Sequence, residues 1–104
     1  MTTIKQIAQK FGFDEEDVRT LVNLMLDGLD DRLVAVKEAI ASSDYQTIFD
    51  QTHSIKGAAA NLGFDAVAMV CEQMENAARQ EKDIDYKSFF EALEINVDKV
   101  KAIQ

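Results

Sequence analysis

With 104 residues, 47% of them hydrophobic and none of them proline, the chain can bury one small core and no more. Eleven basic residues stand against 19 acidic ones, a net charge of −8, and a body this acidic repels nucleic acid and anionic membranes, so a protein partner is expected. There is no apolar run of about 18 residues to span a membrane and no basic-then-apolar secretory leader. One cysteine, Cys71, leaves no internal disulfide, and a cytoplasmic protein is expected.

Four glycines and no proline favour long helices over many short strands. Thr3, followed three residues later by Gln6, is a capping-box signature that opens a short first helix reaching about Phe11. Phe11-Gly12-Phe13-Asp14 and Leu62-Gly63-Phe64-Asp65 then share one grammar: the glycine ends a helix in the left-handed region and the aspartate caps the next one. Each phenylalanine precedes its cap and is placed to staple onto the residue five later, Val18 or Met69. These read as two analogous corners, not as a duplicated domain.

The second helix is predicted from about Glu15 to Ala41. Val22, Leu26, Leu29, Leu33, Val36 and Ile40 keep the alternating four-and-three spacing of an antiparallel bundle seam. Val18, Leu21, Leu24 and Met25 widen its first half, and the first helix is the available cover, through Ile4, Ile7 and Phe11. Asp27, Asp30 and Asp31 lack the alternation and fixed glycine of a calcium loop and read as an exposed acidic face.

Ser42-Ser43-Asp44 is the third corner, with Ser43 or Asp44 as cap of the helix that carries the only histidine. Ile48, Thr52, Ile55, Ala59 and Leu62 form its buried stripe. His53 lies one step off that stripe, rotated by about 100° toward solvent or the rim. Lys56 and Gly57 occupy the next turn on the same face. A fourth helix, from about Ala66 to Gln80, buries Val67, Val70, Cys71, Met74 and Ala78. Asp85 caps the fifth, with Ile84 and Phe89 as its staple, and Tyr86, Phe90, Leu93, Val97 and Val100 as its core face. Met25, Met69 and Met74 read as packing residues. The expected fold is all-α, an antiparallel up-and-down four-helix bundle with a short N-terminal capping helix, one domain over residues 1–104.

A neutral imidazole is a good nucleophile toward a phosphoryl group, and its ordinary pKa of about 6.5 leaves much of it neutral at cellular pH. A phosphoryl group there carries negative charge that an ammonium one turn away offsets. Glycine inside a helix costs about 1 kcal/mol relative to alanine, and room at Gly57 for a partner or a phosphate is one compensation; close helix packing is the other. The chain has no nucleotide-binding loop and no second histidine. One histidine also cannot supply the paired Glu-x-x-His motifs of a metal-dependent bundle enzyme.

His53, Lys56, Gly57, Ala58, Ala59, Leu62 and Gly63 follow the pattern H-x-x-K-G-A/S-A/S-x-x-L/I/V-G. In this the stretch resembles the histidine-containing phosphotransfer (HPt) domains of two-component phosphorelays, in which the histidine is the phosphoacceptor. Val70-Cys71-Glu72-Gln73-Met74-Glu75-Asn76 looks like the family's following helix, so the resemblance covers essentially the whole chain. It implies a phosphocarrier without kinase machinery, taking a phosphoryl group on His53 between the aspartates of response-regulator receiver domains or from a hybrid sensor kinase. Lys56 then stabilises the phosphate charge and Gly57 gives access. No cofactor or metal of its own is implied, because the acceptor aspartate, a lysine and Mg²⁺ arrive with the receiver.

Glu75 stands 22 residues after His53, where this family often carries a glutamine that hydrogen-bonds one imidazole nitrogen. A carboxylate there accepts the proton of one ring nitrogen, fixes the tautomer and raises the basicity of the other; an ordinary exposed glutamate is the alternative. Helix geometry places Gln46, Phe49, Asp50, Ala60 and Asn61 on or beside the face of His53 as the docking surface, with Phe49 either an apolar contact for the partner or packed on its own bundle. The chain is expected to act as a monomer. The other reading is a helical adaptor that binds through the apolar first half of the second helix and is indifferent to His53.

Overall fold

The computed structural model describes residues 2–103, which form five helices: α1 (Ile4–Phe11), α2 (Glu15–Ser42), α3 (Tyr45–Asn61), α4 (Asp65–Arg79) and α5 (Tyr86–Lys101). The capping box forms as expected: Thr3 Oγ1 accepts from the Gln6 amide at 3.2 Å and Gln6 Oε1 accepts from the Thr3 amide at 3.0 Å. Gly12, at φ 71°, closes α1 with its N–H on the Ala8 carbonyl. α2 has 28 residues, about 42 Å at roughly 1.5 Å per residue, and so accounts for the 43 Å long dimension of the molecule.

The third corner assigns one role to each of its candidates. Ser43 adopts the left-handed conformation (φ 55°) that ends α2. Asp44 caps α3, accepting from the Thr47 amide at 3.1 Å and from the Thr47 hydroxyl at 2.6 Å. Asp85 caps α5 in the same way through Ser88, at 3.2 and 2.6 Å.

Links of a few residues turn each long helix back along its predecessor, and the α2–α5 contact closes the bundle. The widest interface is between α3 and α4. Val22, Leu29 and Val36 from α2 meet Ile55 and Ala59 from α3, Val67, Cys71 and Met74 from α4, and Phe90, Leu93 and Val97 from α5. A second cluster, Ala39, Ile48, Ala77, Ala78 and Tyr86, fills the end near the α2–α3 link. No helix among the described residues is long and apolar enough to cross a membrane.

Several local expectations are corrected. Asp14 occupies the N-cap position of α2 but makes no capping hydrogen bond. At the matching corner Phe64 is the N-cap residue and Asp65 is the first residue of α4, where its charge favours the positive helix end. The two staple phenylalanines have different surroundings. Phe13 is 52% exposed and stacks on Phe11, with ring centroids 6.1 Å apart. Phe64 is buried in the core, whereas Met69 is 63% exposed. Met69 lies two residues from both Val67 and Cys71, about 200° around the helix from each, and so faces away from the core. Ile84 and Phe89 pack against different core clusters. α1, only eight residues long, presents Ile4, Ile7 and Ala8 to the cluster containing Val18 and Val22 but leaves Phe11, Leu21 and Leu24 exposed.

Leu93 is fully buried where α5 meets the other helices. Leu93→Ala is expected to lower unfolding stability by about 3 kcal/mol in urea titrations. A loss below about 1 kcal/mol would show that α5 is not tightly docked.

Candidate functional site

The site is built on the wide α3–α4 interface. Thr52 is fully buried, its hydroxyl donating to the Ile48 carbonyl at 2.6 Å, and this anchors the helix face next to His53. One residue further on, the His53 side chain is 60% exposed. On α4, Cys71 and Met74 face the core, and Glu75, four residues after Cys71 and one after Met74, falls on the flank toward α3. Its side chain is 2% exposed.

Both oxygens of this buried carboxylate are occupied. Oε2 lies 2.8 Å from His53 Nδ1, and Oε1 accepts a hydrogen bond from Lys56 Nζ. Burial alone pushes the Glu75 carboxyl upward, but the hydrogen bonds and charges of Lys56 and His53 outweigh it and hold the group below its ordinary value of 4.5. Glu75 is therefore a carboxylate at neutral pH. An ionised carboxylate only accepts hydrogen bonds, so the ring nitrogen that faces it donates. In the neutral imidazole this places the single ring proton on Nδ1 and leaves the lone pair on Nε2.

The sequence places Lys56 beside the histidine as a cation one turn away. In the structure its side chain is 29% exposed and its ammonium is held by Glu75. Gly57 is exposed, and a Cβ built there meets nothing within 4 Å. The bundle does not need a glycine at this position for close packing, so the space beyond it is open.

Of the two readings of Phe49, the structure shows packing on its own bundle. It is half-buried against the cluster of Ile48, Ala77, Ala78 and Tyr86, and its ring stacks on His53 at 5.5 Å and 11°. The Arg79 guanidinium lies 5.6 Å from the same ring. Gln46 and Asp50 are exposed on the preceding turns and bond each other at 2.9 Å. Ala60 and Asn61 are exposed beyond Gly57, and Asn61 borders an apolar depression lined by Phe11, Phe13, Leu21, Met25, Ala58 and Leu62. Sequence reasoning missed Arg79 and this depression. Arg79 stands one turn after Glu75 on the same helix, and the depression follows from the shortness of α1. Cys71, behind Glu75, has its thiol pushed up to about 12, by burial first and then by the Glu75 charge, partly offset by Lys56; it is an unreactive core residue.

Two outcomes are expected from these contacts. Gly57→Ala should raise stability by about 0.5–1 kcal/mol, read as a higher urea midpoint; a lower midpoint would mean that the glycine is structurally required. Because the Glu75 pKa is depressed by folding, its contribution is fully present above the unfolded value and is lost as pH falls through the folded one. Wild type and Glu75→Gln should therefore differ in stability at pH 7 and converge below about pH 4.5. A difference that is constant with pH would contradict the ion-pair assignment.

Comparison with known proteins adds an independent line. The profile described as Hpt domain matches residues 20–103, a span that includes His53, Lys56, Gly57 and Glu75. No functionally curated protein matches the chain. Among solved structures, histidine-containing phosphotransfer protein B from Pseudomonas aeruginosa PAO1 superposes with a TM-score of 0.84 at 23% identity, over 93% of this chain and 84% of that one. That likeness is one of fold: a packed helical bundle with a short N-terminal helix. The chain belongs to the Hpt domain family, the helical phosphotransfer modules of two-component signalling.

Proposed function

We propose that this chain is a single-domain phosphorelay intermediate that accepts a phosphoryl group on Nε2 of His53. The donor is the aspartyl phosphate of a response-regulator receiver domain or of a hybrid sensor kinase's receiver, and the group passes on to the aspartate of another receiver. One observation carries the reading: an exposed imidazole whose Nδ1 is tied to a buried carboxylate, so that its free lone pair points outward.

The chain's residues support each requirement of the transfer. The lone pair of Nε2 forms the new N–P bond while the P–O bond to the donor carboxylate breaks. Nδ1 keeps its proton throughout and donates it in the hydrogen bond to Glu75. Phe49 stacked on the ring, together with the Nδ1 hydrogen bond, limits rotation of the imidazole. The open space at Gly57 and the small exposed side chain of Ala60 let a folded partner approach. Mg²⁺ and the acceptor aspartate belong to that partner, and transfer rests on positioning and electrostatic stabilisation. We infer that the partner docks over Gln46, Asp50, Ala60 and Asn61 and onto the neighbouring apolar depression, and that the chain works as a monomer in the cytoplasm, where receiver domains operate. The same depression supports the adaptor reading, in which a partner binds there without transfer.

The test is incubation with a phosphorylated receiver domain and Mg²⁺. His53→Gln should keep the helical circular dichroism and take up no label; labelling of the variant would overturn the assignment. Wild type that binds a receiver tightly without accepting the group would favour the adaptor. Lys56→Ala should slow transfer by about tenfold, and an unchanged rate would remove Lys56 from the mechanism.

A further inference from the structure

The ionic contacts at the site are arranged for the empty histidine, and the chemistry of transfer changes what they must balance. Before transfer there are two full charges, the Glu75 carboxylate and the Lys56 ammonium, and they are paired. The ring reacts in its neutral form, with its proton on the Nδ1 that faces Glu75. Attack by Nε2 uses the ring's lone pair, and the donor's P–O bonding pair leaves with its carboxylate. No proton has to move. The ring, still carrying the Nδ1 proton, becomes a cation, and the phosphoryl group on Nε2 is a dianion, so the site gains a net charge of −1.

The new positive charge appears beside a group of opposite sign. The cationic ring forms against Glu75 Oε2, at the end of a 2.8 Å hydrogen bond. The dianion forms on the far side of the same ring. Lys56 is one turn along α3 from His53 on the same face, and its ammonium is held by the carboxylate that holds the ring. A flexible lysine stem needs only side-chain rotation to move that ammonium from Glu75 to the phosphoryl oxygens.

We propose that phosphorylation of His53 drives a partner exchange: Lys56 leaves Glu75 for the phosphoryl group, and Glu75 takes the cationic ring as its counter-ion. This rests on the reading of His53 as phosphoacceptor. The exchange keeps the buried carboxylate paired with one full cation in both states, which matters because removing the partner of a buried charge is strongly destabilising. It also gives a reason for glutamate at this position. A neutral glutamine would accept from Nδ1 but would neither hold Lys56 in reserve nor offset the charge of the phosphorylated ring. The other titratable group against Glu75, the Cys71 thiol on α4, stays protonated throughout, so the exchange involves only His53, Lys56 and Glu75.

Phosphoramidate, a small donor that needs neither receiver nor metal, separates this inference from the identity of the partner. Isotope-labelled protein is treated with it and followed by NMR. In wild type the Lys56 side-chain signals should shift on phosphorylation. In Glu75→Gln, where Lys56 is already released, that shift should be much smaller. At pH 8 the ring nitrogen signals should show Nδ1 still protonated in phosphorylated wild type and deprotonated in phosphorylated Glu75→Gln. Labelled His53 with unmoved Lys56 signals, or with the same Nδ1 protonation in both proteins, overturns the exchange alone. Failure of His53 to take the phosphoryl group overturns the phosphoacceptor reading with it. The Lys56 measurement on wild type stands even if Glu75→Gln does not fold.

Discussion

The site depends on one buried carboxylate. Glu75 sits at the α3–α4 interface with its side chain almost wholly removed from solvent, bonded through one oxygen to His53 and through the other to Lys56. An isolated carboxylate in that position would protonate rather than stay charged. Its two partners reverse that outcome, and the resulting charge fixes both in place. The direction of the histidine lone pair and the restraint on Lys56 follow from this one ion, which also adds to the burial that keeps the Cys71 thiol protonated. The rest of the bundle holds α3 and α4 in register so that the ion can form.

The scaffold and the site make opposite demands on α3. Ile48, Thr52, Ile55 and Ala59 are buried and hold the helix to the core. On the opposite side the helix carries His53, Gly57, Ala58 and Ala60, all exposed, with nothing of the protein's own above Gly57. An alanine there would make a better helix. Under the proposed function the glycine keeps the surface low beside a histidine that a partner has to reach, the kind of local cost that marks a functional surface. The same economy is visible at the N-terminal end, where α1 is too short to cover Phe11, Phe13, Leu21 and Leu24 and leaves them as exposed apolar surface.

Much of this was legible in the sequence because it rests on periodicity and on caps. The α2 seam, the α3 stripe and the α5 core face came from spacing alone, and the Thr3 and Asp85 caps from local chemistry, which left the α3 cap open between Ser43 and Asp44. Placing His53 off the α3 stripe also correctly put it at the surface. What spacing could not supply was depth. Glu75 reads equally well as an exposed glutamate, and only the closeness of α3 and α4 makes it the most buried charged residue of the site. The partner of Lys56 was not legible because it lies 19 residues away on another helix. The corner residues show the same limit: Phe64 and Met69 satisfy one local pattern, but the core takes Phe64 and the geometry of α4 turns Met69 outward.

The central claim is that Glu75 holds the Nδ1 proton and so presents Nε2 for phosphorylation. The most direct measurement is the position of the phosphoryl group on the ring, determined by NMR of the protein phosphorylated by a receiver domain in the presence of Mg²⁺. The account requires a single phosphoryl group bonded to Nε2 of His53, with Nδ1 still hydrogen-bonded to Glu75. A phosphoryl group on Nδ1, or on any side chain other than His53, would contradict it.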